Sequence, residues 1–362
     1  MIGTLVGSGI AACFIYGSMK WKHTDLQKMQ HVFRNINYRV GGRVPRLIKR
    51  TKYENKTEYV FAVPYGLIDD NKLQPTLQKT LAKPVEVKFK GKLIINVYES
   101  DLPTKYDYDW SKTDKWTVPV GRDLNGQILH DFDSIPHMTV AGMTRQGKTV
   151  FLKLVLAHLI NNNPSVEFYI VDLKGGLEFG KYERLQQVKS VSGNVDEADR
   201  ILQSILNRLN DDLQRFKSNG WNNITHTKKQ RRTFILVDEA AELDDRCQKK
   251  LSKVARIGGA LGYRLMFATQ YPTADTLPRQ IKQNSDAKIS FRLPTQVASR
   301  VAIDENGAEG LNCPGRAIYR THERKEIQAP FISDDEILER LKMYVKDKTE
   351  DKQTGENIIK FG

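Results

Sequence analysis

Apolar residues recur along this chain in two rhythms. In its C-terminal two thirds, short runs rich in Val, Ile, Leu and Phe (HMTVAG, EFYIVDL, TFILVDEA, YRLMFATQ, AKISFRL, RAIYR) alternate with longer stretches of helical spacing. That alternation predicts a mainly parallel sheet covered by helices, in a domain spanning 111–332. Ahead of it, the run YVFAVPYG, a polar helical stretch from Asp69 to Leu81, and the alternating stretches VEVKF and KLIINVYES around Lys90-Gly91-Lys92 predict a small α/β unit over 57–110. The polar, turn-rich segment DLPTKYDYDWSKTDK reads as a linker. Ser333 followed by Glu336 forms a capping box for a last helix, DDEILERLKMYVK, within a C-terminal segment 333–362 that ends in a polar tail. No internal repeat is visible.

The N-terminus breaks both rhythms. Met1–Met19 carries no charge, and at ~1.5 Å per residue a helix of that length just crosses a ~30 Å hydrocarbon layer. A cleaved signal peptide or a buried helix are the alternatives, but a signal peptide begins with basic residues, and here they follow the apolar run. From Lys20 to Lys52 there are ten Lys/Arg against one acid, Asp25. This fits a transmembrane anchor over 1–19 and a basic juxtamembrane segment over 20–56, with the remainder on the cytoplasmic side of a cell membrane. Gly3 and Gly7 make one GxxxG, a weak signal of helix association in the bilayer.

Composition changes this picture little. The chain has 362 residues and a formal net charge of +14; it is long enough for a large core without disulfide or metal staples, and basic enough to favour polyanionic surroundings. Cys13, Cys247 and Cys313 form no CxxC pair and have no histidine at ligand spacing, so no zinc site or disulfide framework is expected.

Candidate chemistry lies in three strand ends. Gly142-Met143-Thr144-Arg145-Gln146-Gly147-Lys148-Thr149 satisfies GxxxxGK[ST] between a predicted strand and an apolar helix. Its glycines let backbone N–H groups converge on phosphates, Lys148 reaches the β- and γ-phosphates of ATP, and the Thr149 hydroxyl completes a Mg²⁺ shell. Asp238 and Glu239 end the run TFILVDEA. There the first carboxylate can hold Mg²⁺ and the second polarise an attacking water, which points to a hydrolase rather than a kinase. Gln270 ends a third strand, where its amide can sense the γ-phosphate. Lys228, Lys229, Arg231 and Arg232 form a basic cluster that could face DNA phosphates.

Five blocks in order then resemble the FtsK/SpoIIIE family: VPVGRDLNGQILHDFDSIPHMTVAGMTRQGKTV, VDLKGGLE, ILVDEAAEL, ARIGGALGYRLMFATQYPTADTLPRQIKQN and ISFRLPTQVASRVAIDENGAEGL. The resemblance implies a RecA-like P-loop NTPase core in a homo-hexameric ring, with double-stranded DNA in the channel, ATP at each subunit boundary and an arginine supplied in trans. Arg256 and Arg300 sit in matching blocks and are the candidates for that arginine. Two departures stand out: Gly259 occupies the place of a second arginine and Arg264 that of a histidine, and Arg145-Gln146 replaces the common Gly-Ser of the loop.

With only about thirty residues after the motor and no winged-helix module expected, the chain resembles the small coupling proteins of conjugative or other mobile elements. The expectation is a membrane-anchored, ATP-dependent DNA translocase that hands DNA to a relaxase or transfer-channel proteins. The alternative is a nucleotide-switched docking factor that recruits a relaxase or replication protein without pumping.

Overall fold

The computed structural model describes residues 23–228 and 231–346. The apolar run 1–19, Lys229 and the tail beyond 346 lie outside the described residues. Among the described residues no helix is long and apolar enough to cross a membrane. The chain packs as two compact units divided between Asp101 and Leu102.

In the first unit, helix α1 (Asp25–Asn35) starts at a complete capping box, in which the Thr24 hydroxyl accepts from Gln27 N and the Gln27 side chain accepts from Thr24 N. Strands β1 (Arg46–Lys52), β2 (Lys56–Ala62), β3 (Val85–Phe89) and β4 (Leu93–Tyr98) form an antiparallel sheet in the order β1-β2-β4-β3. Helix α2 (Leu73–Leu81) adds Leu73, Leu77 and Leu81, four apart on one face, to a core with Met29, Val32 and Phe33 of α1 and Tyr59, Phe61, Leu93 and Ile95 of the sheet. The stretch read from its charge as a juxtamembrane segment therefore supplies a helix and an edge strand. Its basic residues take the exposed positions and mask the helical spacing of the apolar ones.

The second unit is built on a ten-stranded sheet. Strands β5 (Thr117–Asp123) and β6 (Gly126–Asp131) make a hairpin; β7 (Met138–Ala141), β8 (Glu167–Asp172), β9 (Val188–Ser192), β10 (Thr233–Asp238), β11 (Tyr263–Thr269), β12 (Ala287–Phe291), β13 (Arg316–Arg320) and β14 (Arg324–Gln328) follow. The order is β6-β5-β14-β13-β12-β7-β11-β10-β8-β9. From β12 to β9 every pairing is parallel; from β6 to β12 every pairing is antiparallel. The sheet is thus mixed, which corrects the expectation of a mainly parallel one. Strands β5, β6, β9 and β14 (TVPVGRD, GQILHD, VKSVS, RKEIQ) are not among the expected runs: β6, β9 and β14 carry too few apolar residues, and in β5 Pro119 and Gly121 interrupt them.

Alternation sorts the strands between two layers. Phe234 and Leu236 of β10 join one core with helix α3 (Lys148–Asn162), while Ile235 and Val237 join another with α4 (Val195–Ser218) and α5 (Asp245–Leu261). Helix α3 is buried on all sides, because residues 102–116 and the C-terminal segment cover its outer face. Tyr108 bonds the His158 ring, and the Tyr108 amide donates to Phe331 O at 2.9 Å. The expected linker is therefore a packed strap of the second unit, and the boundary expected at 110 falls inside that unit.

Helix α8 (Asp334–Arg340) begins at Ser333, whose hydroxyl accepts from Glu336 N at 3.2 Å. The Glu336 carboxylate accepts instead from Trp110 Nε1 at 2.8 Å, so only half of the predicted capping box forms. Lys153 of α3 reaches Glu178 at 2.7 Å and Asp334 at 3.2 Å. Asp334 also receives Lys181 and the Tyr182 hydroxyl. Burial pushes its carboxyl up, but these hydrogen bonds and Lys153 outweigh it and hold the pKa below the usual carboxylate range.

Candidate nucleotide site

Strand β7 runs between β11 and β12, and the GxxxxGK[ST] loop leaves from its end. A Cβ on Gly142 would lie 2.7 Å from Phe291 Cβ, so only glycine lets the loop pass β12 undisturbed. Backbone bonds fix its path on both sides: Gly142 N donates to Thr269 O at 3.2 Å and Met143 N to Arg292 O at 3.0 Å. Arg145 stands at φ 64° and Gly147 at φ 111°. Arg145 thus keeps a left-handed conformation that a glycine would take freely, at a cost of about 1 kcal/mol or more. Gly147 caps α3 without a side-chain hydrogen bond. The first-turn amides and the positive end of the helix dipole therefore face the loop, an arrangement suited to an anion.

The other predicted residues converge here. Lys148 is buried and ion-pairs Asp238. The next residue, Glu239, takes a left-handed conformation (φ 68°), and its Oε1 accepts from Gln270 N at 3.3 Å. Gln270 Oε1 accepts in turn from the Thr144 hydroxyl at 2.9 Å. The ends of β7, β10 and β11 are thereby joined through Thr144, Lys148, Asp238, Glu239 and Gln270, with half-buried Thr149 in the first turn of α3. Asp238 Oδ2 and Glu239 Oε2 are buried and have no hydrogen-bond partner. Unaccompanied buried carboxylate oxygens are costly. Two of them beside a lysine and a phosphate-type loop fit a hydrated Mg²⁺ and a nucleotide.

One residue here had no assigned role in the sequence. Asp172, opposite Asp238 in the β8–β10 register, accepts from the amides of Lys174 (3.3 Å), Glu178 (2.9 Å) and Phe179 (3.0 Å). It folds the VDLKGGLE loop back over the strand end, a turn that uses Gly175 and Gly176 at φ 70° and 72°. The legible signal was an acid closing an apolar run just before Gly-Gly.

Arg256 and Arg300 are not part of this cluster. Arg300 has an exposed side chain on α7 (Gln296–Ile303). Arg256 is exposed on α5 and lines a cleft of about 560 Å³ with Pro136, His137, Trp221 and Asn284, where the parallel strands begin. Nearby, Arg232 and Arg264 are buried and both reach Asp133, at 2.8 Å and 2.7 Å. Burial pushes the Asp133 carboxyl up, but the two arginine hydrogen bonds outweigh it and hold it below the usual range. Arg264 Nη1 also donates to Gly259 O at 2.7 Å, and a Cβ on Gly259 would meet Pro136 Cγ at 2.8 Å. Gly259 and Arg264 are thus one structural unit, and Arg264 is unavailable as a trans arginine. The expected DNA-facing basic cluster also dissolves in part: Arg232 is consumed by Asp133, and Arg231 pairs with Glu167 at 3.3 Å.

The FtsK/SpoIIIE family profile matches residues 104–305. The chain belongs to the FtsK/SpoIIIE family. This FtsK/SpoIIIE protein is 29% identical over 259 residues to the DNA translocase FtsK of Lactococcus lactis subsp. cremoris (strain MG1363), covering 64% of this chain and 34% of that one. It is 27% identical over 296 residues to the DNA translocase FtsK of Streptococcus pneumoniae (strain ATCC BAA-255 / R6), covering 72% and 38%. The chain spans about a third of the length of these curated relatives. Among solved structures it resembles the pCW3 conjugation coupling protein TcpA, in monomer form with ATPγS, at a TM-score of 0.64 and 24% identity over 87% of this chain and 98% of that one. It also resembles the cytoplasmic domain of the Type VII secretion ATPase EccC of Thermomonospora curvata, at a TM-score of 0.57 and 20% identity over 67% and 33%. The fold of this FtsK/SpoIIIE member is that of the FtsK-like P-loop NTPases.

Proposed function

We propose that this chain is a membrane-anchored ATPase that moves double-stranded DNA as a homo-hexameric ring and serves as a coupling protein in conjugative or mobile-element DNA transfer. The observation that carries the reading is the pair of partnerless carboxylate oxygens at Asp238 and Glu239, beside Lys148 and the amide-lined loop. Phosphates of ATP lie on the loop amides from Gly142 to Thr149, and Lys148 exchanges Asp238 for the β- and γ-phosphates. Thr149 and Asp238 hold Mg²⁺, which neutralises charge on those phosphates. Glu239 orients and polarises the lytic water. Gln270, tied to both Glu239 and Thr144, carries the state of the γ-phosphate to the end of β11. Arg256 or Arg300 of a neighbouring subunit supplies an arginine in trans to the γ-phosphate, stabilising charge that one subunit does not neutralise alone.

Support for DNA as the cargo comes from the family and from relatives named as DNA translocases. Support for a coupling role comes from the fold shared with TcpA across most of both chains. Support for the membrane is the uncharged run 1–19 followed by basic residues.

The test is ATP hydrolysis by the full chain with no DNA, short duplex, long duplex and single strands, together with displacement of a roadblock bound to duplex. A pump hydrolyses ATP fastest on long duplex and clears the roadblock only with ATP. Slow turnover that ignores DNA length, with nucleotide-dependent capture of a relaxase or replication protein, would make the chain a docking switch instead.

A further inference from the structure

The positive charge of this protein is concentrated away from its nucleotide-binding unit. Residues 1–101 hold 17 Lys/Arg against 8 Asp/Glu, whereas residues 102–362 hold 40 against 35. In the second unit many cations are consumed by carboxylates, as at Lys153, Arg208, Arg232, Arg264 and Arg320. The edge strand β1 behaves in the opposite way. Arg46, Lys49 and Lys52 are exposed, and like Arg43 just ahead of them they form no ion pair among the described residues. A β-bulge between Leu47 and Lys49 turns Ile48 outward, leaving it 49% exposed amid these charges.

Beside the start of β1 lies a cleft of about 870 Å³ whose lining includes Val40, Gly41, Gly42, Arg43, Arg46 and Tyr65. Tyr65 is fully exposed, and so in large part is Ile68. Unpaired cations, a roomy cleft, and exposed Tyr and Ile side chains match a bilayer surface, where phosphates meet the cations and amphipathic or apolar groups enter the headgroup layer. Duplex DNA would satisfy the cations but leave Ile48, Tyr65 and Ile68 in water. In the sequence, the uncharged run Met1–Met19 stops just ahead of α1 (Asp25–Asn35).

We propose that the β1 edge and its adjoining cleft bind anionic phospholipid headgroups and lay the first unit against the bilayer. This rests on the membrane-anchored reading above. Each cation near such a surface strengthens binding roughly fivefold at low salt, and the effect is screened as salt rises.

The test places the full chain in nanodiscs of phosphatidylcholine alone or of phosphatidylcholine with phosphatidylglycerol, and follows hydrogen exchange over residues 40–53. Exchange there is expected to slow about fivefold or more in the anionic discs at low salt, and the slowing to vanish at high salt. Arg43→Gln with Arg46→Gln and Lys49→Gln abolishes the slowing, while Arg43→Lys with Arg46→Lys retains it. Equal exchange in the two discs, with the chain embedded in both, overturns the proposal. Equal slowing by duplex DNA added to phosphatidylcholine discs gives the surface to nucleic acid and also overturns it. A chain that enters neither disc takes the anchor and this proposal down together.

Discussion

Where the parallel strands begin, Asp133 receives Arg232 and Arg264, and the buried groups without partners there, among them His137 Nε2, Arg264 Nε, Ser285 Oγ and Gln187 Oε1, include no carboxylate oxygen. Where the same strands end, Lys148 has Asp238, but Asp238 Oδ2 and Glu239 Oε2 have nothing. Both ends bury charge in one sheet. One end gives its carboxylate two cations and is complete within the chain; the other keeps negative charge that only something from outside can match. The difference separates buried charge used for folding from buried charge held for chemistry.

The sharpest test is at Glu239. Glu239→Gln keeps the shape and removes the charge, so ATP turnover should fall about 10²–10⁴-fold while nucleotide still binds and the melting temperature does not drop. Lys148→Ala should lose binding itself. Phosphate release, nucleotide titration and thermal melts read all three quantities, and a marked loss of stability in Glu239→Gln would erase the contrast between the two ends. Asp133→Ala should do the reverse, costing about 3–5 kcal/mol in denaturant unfolding because two arginines are left buried without their carboxylate. The fraction that stays folded should bind ATP as before.

Acid should act through the folding end and its neighbours. Burial, with help from Arg264, pushes His137 down to about 3, and burial pushes His130 and His158 down to about 4. The unfolded chain takes up those protons near pH 6.5 and the folded chain does not. Stability should therefore fall as pH drops from about 6.5 toward 4, by up to ~1.4 kcal/mol per pH unit for each histidine. Asp133 adds to this at lower pH: its folded value is depressed, so its contribution is present above the ordinary carboxylate pKa and lost as pH falls through the lowered one. A denaturation midpoint that does not change between pH 7 and pH 5 would count against the burial of all three rings.

Glycines offer a matched pair. Gly142→Ala and Gly259→Ala both force a Cβ into contact below 3.0 Å and should each cost about 1–3 kcal/mol through overpacking. Only the first should weaken nucleotide binding as well. The smallest effect belongs to Thr144→Ala, which removes an exposed hydrogen bond to Gln270. It should cost about 1 kcal/mol or less in stability. A slowed turnover despite that small cost would show that Gln270 needs its anchor.

Legibility of the sequence followed the range of the interactions. The phosphate-type loop could be read because its job is local: eight consecutive residues carry the glycines, the lysine and the hydroxyl. The central strands could be read because burial on both faces demands unbroken apolar runs. Strands β6, β9 and β14 could not, since antiparallel and edge positions tolerate alternating polar residues. The 102–116 strap was hidden by its polar composition, although Tyr106, Tyr108 and Trp110, each two residues from the next, and Trp116 beyond them were a signal that something there packs. Asp133 gave no signal, because its role depends on two arginines 99 and 131 residues away in sequence. Arg232 read as part of a DNA-facing cluster for the same reason, and Arg264 only as a substitute for a histidine.

Lys153 sits almost wholly buried on the phosphate-loop helix and leans on two acids, one of which, Asp334, opens the last described α-helix. Any shortened version of the protein that stops ahead of residue 334 would strand that ammonium with Glu178 alone and uncover Ile337 and Leu341's side of the core. Expression boundaries drawn around the family-matched region 104–305 would thus cut away part of what holds the nucleotide loop's own helix in place.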